Sequence, residues 1–133
     1  GACTRFDAAP EIEKAAFSGR WSLVSSQPHI YDAFTQTISQ GPQSVSFHQR
    51  RTAKGRTQTV TWTVITDGKV RPVAGIRGVR GSAAWDEDGT LRLRLVDPAN
   101  RENATAVVRN GRLICDGQTE HGRYHAEFQR VAP

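Results

Sequence analysis

From Gly19 onward the chain alternates apolar and polar residues with period two and is broken at short intervals by turn residues. That is the pattern of many short antiparallel strands, each wet on one side. Trp21, Leu23 and Ser25 share one face of the first segment, Val45, Phe47 and Gln49 of the second, and Val60, Trp62 and Val64 of the third. Leu91, Leu93 and Leu95 oppose Arg92 and Arg94, and Tyr124, Ala126 and Phe128 oppose His125 and Glu127. Asp67-Gly68, Asp88-Gly89, Asn110-Gly111 and Asp116-Gly117 supply the positive φ that hairpin tips need, with Ala53-Lys54-Gly55 a weaker example. The segments number about eight to ten, and consecutive hairpins order them as an up-and-down meander. Closure into an antiparallel all-β barrel removes the raw edges that an open sheet of that size would leave.

Two segments read as helix instead. From Asp7 to Phe17 a capping residue, an early proline and good helix formers precede the stop at Gly19, and Ile12, Ala16 and Phe17 share one side. Between Pro28 and Gly41, Ile30, Phe34 and Ile38 recur every four residues, a helical stripe. Such a helix either folds as a lid over an open barrel mouth or packs outside as a connector. The division is then an N-terminal segment with a short helix over 1–16 and one barrel domain over 17–133. Residues 71–81, rich in Gly and Arg, depart from a clean strand and leave the register of the middle strands open.

At 133 residues the chain makes one domain. No apolar run is long enough to cross a membrane as a helix. The net charge of +5 comes with fifteen arginines against three lysines, which permits an anionic partner without requiring one. Arg50, Arg51, Lys54 and Arg56 cluster about one hairpin tip, and Arg92 and Arg94 share a strand face. No aromatic is interleaved with them as a stacking platform would require, so nucleic acid is not an expected partner. The cluster reads as a solvated edge that discourages strand-to-strand association. Gly75 to Gly81 matches no phosphate-binding fingerprint, and with Arg77 and Arg80 it is either an exposed loop or an anion site.

The chain has two cysteines, no methionine and a first residue Gly1, which suggests a processed precursor. A Cys3–Cys115 bridge would close a loop of about 110 residues, for which chain entropy allows about 4–5 kcal/mol. Alternatively, Gly1-Ala2-Cys3 looks like the end of a bacterial lipobox, with Cys3 carrying a lipid that tethers the protein to a membrane. Cys115 lies among apolar neighbours, which favours burial or a bridge over a reactive thiolate. Both readings place the protein outside the cytoplasm, secreted, periplasmic or anchored in the envelope.

The four histidines, His29, His48, His121 and His125, show no metal-ligand spacing, and no cofactor fingerprint or Gly-x-Ser-x-Gly elbow occurs. Tyr31-Asp32 beside His29, and Glu127 beside His125, are the acid–base pairs that a barrel enzyme of cyclase or isomerase type would use on a hydrophobic or polyketide-like substrate.

Phe17-Ser18-Gly19-Arg20-Trp21-Ser22-Leu23 resembles the Gly-x-Trp signature that opens the first strand of lipocalins and related calycins. The resemblance implies that the Trp21 indole closes the barrel floor behind Gly19, with a basic residue of the last strand over it. Arg123 and Arg130 are the candidates, Arg130 being nearer the chain end. Thr66-Asp67-Gly68-Lys69, Ala84-Trp85-Asp86-Glu87-Asp88-Gly89 and Gly122-Arg123-Tyr124 resemble the hairpins of bacterial lipocalin-like domains, so the likeness covers most of residues 17–131. It implies a cup-shaped barrel, monomeric or weakly dimeric, that holds a small hydrophobic molecule. Tyr31 and Phe34 in the lid segment, Phe47 and Trp62 on strand faces and Trp85 near a turn are the candidate lining, each with plain core packing as its alternative.

Overall fold

The computed structural model describes residues 17–132. Ten strands run in chain order: β1 (Gly19–Gln27), β2 (Ala33–Gln40), β3 (Ser44–Ala53), β4 (Arg56–Ile65), β5 (Arg71–Pro72), β6 (Arg80–Trp85), β7 (Leu91–Asp97), β8 (Asn100–Arg109), β9 (Arg112–Thr119) and β10 (Gly122–Arg130). They form one antiparallel sheet in the order β4-β3-β2-β1-β10-β9-β8-β7-β6-β5. It is a meander whose chain-terminal strands β1 and β10 pair with each other. The sheet's two edges meet where Thr63 and Ala74 exchange backbone hydrogen bonds at 3.0 and 3.3 Å, which nearly closes the barrel. Gly75 makes that approach feasible: its φ is +95°, and a Cβ there would fall 2.0 Å from the Thr61 carbonyl oxygen.

Because partners across an antiparallel pair point the same way, the register tells which side chains face inward. Leu91, Leu93 and Leu95 pair with Ala106, Ala104 and Glu102; Cys115 pairs with Ala106 and Ala126; Phe128 pairs with Leu23 and Leu113. All carry the inward face, and Arg92 and Arg94 lie on the wet one. The connections β1–β2, β3–β4, β5–β6, β7–β8 and β9–β10 gather at one end, called the mouth, and the alternate connections at the other, the floor.

Four expectations change, the first being that Asp116-Gly117, read as a hairpin tip, lies inside β9 without positive φ. Residues Ala33–Gln40 are a strand and not a lid or connector helix. A four-residue spacing is also a multiple of two, so Phe34 and Ile38 share a strand face as readily as a helix face. Gln36 stands between them on that face and broke the apolar alternation, yet it is buried and accepts a hydrogen bond from Gln49. In β1, a bulge between Leu23 and Ser25 shifts the phase, so Ser26, opposite Ala126, takes the inward position expected for Ser25. Arg51 is not part of the solvated hairpin tip, since it pairs with Phe34 and its Nε is buried. Residues 71–81 resolve into the two-residue β5, a turn through Gly75 and Gly78, and the start of β6. Of the expected N-terminal helix, residues 7–16 lie outside the described residues.

Candidate functional site

The floor is packed solid. Trp21, Val45, Leu91 and Leu113 have no exposed surface, and Phe17 and Ile38 are within 2 % of none. Gly19 has φ +137°, and a Cβ on it would press on the Arg130 guanidinium. With that Cβ absent, Arg130 lies 4.3 Å over the Trp21 ring and donates to the Ser18 carbonyl at 2.9 Å. The Trp21 Nε1 donates to the Phe17 carbonyl at 3.0 Å. Arg130, and not Arg123, is therefore the basic residue over the indole. Trp85 belongs to this end as well, edge-on to Phe17 at 5.0 Å and remote from the mouth.

The mouth half differs. Leu23, Phe34, Val60, Leu93, Leu95 and Ala126 face inward by register yet keep accessible surface while packing against the core. Cys115 does so too, and burial pushes its thiol pKa up to about 12, with the Asp116 and Glu102 charges adding to that. A side chain that faces the barrel axis, feels little bulk water and still has accessible surface borders internal space.

The aromatic candidates divide accordingly. Tyr31 and Phe34 meet edge to face at 5.3 Å at the mouth, and Phe34 continues to Phe128 at 5.2 Å. Phe47 and Trp62 stack at 4.2 Å and are buried, forming the lower boundary of the open half.

Sequence reasoning placed Gln49 and Tyr124 on inward faces but did not single them out, nor Arg51 and Glu102, as groups of the site. Gln49 accepts hydrogen bonds from Trp62 Nε1 at 3.0 Å and from Arg51 Nη2, and donates to Gln36 at 3.1 Å. The Arg51 guanidinium carbon stands 5.7 Å from the Tyr31 ring and 5.4 Å from the Phe34 ring. Tyr124 donates to Glu102 Oε2 at 2.6 Å. Burial, then the Glu102 charge, raise the Tyr124 pKa well above the phenol range, while Arg51 pulls it down. The strand parity that put Gln49 and Tyr124 inward also assigns Arg51 to that face, but its place in a run of basic residues hid it.

Of the acid–base residues singled out from sequence, Tyr31 borders the mouth and the others do not join it there. His125 faces the outer wall, 2.6 Å from Asp116 and 3.0 Å from Glu127, and those two carboxylates raise its pKa, Asp116 first. His29 and Asp32 are an exposed pair at 3.4 Å on the rim. Among the described residues no group of three or more His, Cys, Asp or Glu could hold a metal ion. Cys115 is a free thiol, and Cys3 lies outside the described residues. Two concavities occur among the described residues. One, of about 480 Å³, is lined by Arg92, Arg94 and Arg123 together with Ala83, Leu93 and Ala104, and another, of about 680 Å³, lies along residues 72–80.

No family model matches the chain, and no curated protein matches it. Solved structures do. The fatty-acid-binding protein 1 of Echinococcus granulosus matches with TM-score 0.65 at 12% identity, over 89% of this chain and 99% of that one. Human cRBP IV matches with TM-score 0.61 at 20% identity, over 86% and 97%. The fluorescent protein UnaG matches with TM-score 0.64 at 12% identity, over 88% and 98%. The chain therefore shares the β-barrel fold of these proteins, and likeness at these identities shows the fold alone.

Proposed function

We propose that this barrel binds a small hydrophobic molecule in its mouth half. The carrying observation is the set of inward-facing apolar side chains, Leu23, Phe34, Leu93 and Ala126 among them, that keep accessible surface above a solid floor. Tyr31 and Phe34 flank the entrance and the Phe47–Trp62 stack forms the lower wall, while Trp85 serves the floor. Proteins of the same fold include a fatty acid transporter and a fatty-acid-binding protein, which supports the reading by analogy of frame. Placement in the envelope belongs to the same proposal and rests on Gly1-Ala2-Cys3; a diacylglycerol mass on Cys3 of the precursor expressed in bacteria tests it.

An apolar fluorescent probe should bind with a micromolar constant, since enclosing a drug-sized apolar surface supplies about 8 kcal/mol. Its binding should quench tryptophan emission through Trp62, and Trp62→Ala should change its affinity more than loss of Arg92 and Arg94 together. Folded protein that takes up no probe would overturn the proposal.

A further inference from the structure

We propose, resting on the reading just given, that the bound molecule carries an uncharged polar head that both accepts and donates a hydrogen bond, as a primary amide does, and that Arg51 and Glu102 grip it. Arg51 Nε is buried and has no hydrogen-bond partner, although the guanidinium is fixed by Gln49 and by the rings of Tyr31 and Phe34. A fixed donor left unsatisfied at the lip of an apolar space is costly unless something accepts from it. Glu102 also faces inward, on β8 opposite Leu95, and takes the Tyr124 hydroxyl on Oε2, leaving Oε1 to accept a second hydrogen bond. Both charges act on that one hydroxyl, so they belong to the same end of the barrel. Ser26 Oγ, inward on β1 and likewise buried without a partner, adds a third polar atom to the lining.

This combination selects among heads. A carboxylate would satisfy Arg51 and then meet the like charge of Glu102 in a site of low dielectric, which is repulsive. An ammonium would suit Glu102 and be repelled by Arg51. A neutral head with a carbonyl for Arg51 and an N–H for Glu102 satisfies both, and rejection of the charged analogues is how the pair would set specificity.

The test is competition on the folded full chain: dodecanamide and dodecanoate, which share a hydrocarbon tail length, each displace a bound apolar fluorescent probe. The amide should displace it at about one-tenth the concentration that dodecanoate needs or less, the size expected of one charge-assisted hydrogen bond. Glu102→Gln keeps an acceptor for Tyr124 and removes the charge, so the preference should shrink at least threefold or reverse. Arg51→Met should weaken the amide about tenfold relative to the apolar probe measured on the same variant. The wild-type ratio and the Glu102→Gln result stand even where Arg51→Met fails to fold. Dodecanoate equal to or better than the amide, a ratio unmoved by Glu102→Gln, or a bound probe displaced by neither amphiphile would each overturn the inference and leave hydrophobic binding intact. Failure of the probe itself to bind sinks the binding proposal, and this inference with it.

Discussion

The two ends of the barrel are built from the same alternating strands and end in opposite states. At the floor, Trp21, Leu91 and Leu113 fill every space and Arg130 closes over the indole. At the mouth, the inward positions Leu23, Leu93, Ala104 and Ala126, two of them alanines, keep accessible surface. A barrel interior of this size is wide enough to be filled by side chains or to hold one small ligand. Here the floor half is filled, and on the proposed function the mouth half is left for a ligand, so stability and binding should be separable along the barrel axis.

The largest effect expected from that division is at the floor. Trp21→Ala should cost about 3–5 kcal/mol in chemical denaturation, because it empties a large aromatic site and removes the platform beneath Arg130. A loss under about 1 kcal/mol would mean that the floor relaxes around the cavity. Filling experiments sharpen the contrast. Val45→Phe, at a floor position 0 % exposed, should destabilise by about 1–3 kcal/mol through overpacking. Ala104→Phe points the same ring into the open half, where it should leave stability within about 1 kcal/mol of wild type and abolish probe binding. Equal destabilisation by the two would show that both halves are packed alike.

Cys115 reports on the interior directly. With a thiol pKa pushed up to about 12, it should be almost entirely protonated at neutral pH and alkylate far more slowly than a free thiol, and a bound probe should slow it further. Rapid alkylation in the folded protein would place it in open water. The smallest effect belongs to the outer wall. His125 has a pKa raised by Asp116 and Glu127, so its stabilising contribution is present below the unfolded histidine value and fades as pH rises through the folded one. Its ring protons, followed by NMR, should titrate above an ordinary histidine, and Asp116→Asn should bring the midpoint down. Since the group is solvated, the accompanying change in melting temperature should be slight.

How much of this was legible without coordinates varies by residue. The parity of Val45, Phe47 and Gln49, or of Leu91, Leu93 and Leu95, is a local property, and it carried over into the strands unchanged. The lid segment misled because Phe34 and Ile38 fit two periods at once, and only the Gln36–Gln49 bond shows why a polar residue belongs between them. Arg51 was hidden by its neighbours Arg50, Lys54 and Arg56, which do face solvent at that hairpin. Glu102 carried no signal at all, since a lone carboxylate in a polar strand looks the same facing in or out.

The chain by itself determined the all-β meander and most of its strands and turns, because alternation and turn chemistry act between near neighbours in sequence; β2, read as helix, and Asp116-Gly117, read as a hairpin tip and found inside β9, are the exceptions. It also marked Gly19 and Trp21, whose arrangement depends on two adjacent requirements: room for a guanidinium and an indole beneath it. Tertiary structure alone decided that Arg130 is that guanidinium, that Ser26 replaces Ser25 through a bulge, and that Arg51, Glu102 and Tyr124 share the mouth. Those outcomes depend on curvature and on which strands close the barrel. Closure puts β3 and β8 around one barrel interior although about 50 residues separate them in the chain, a distance over which local periodicity carries no information.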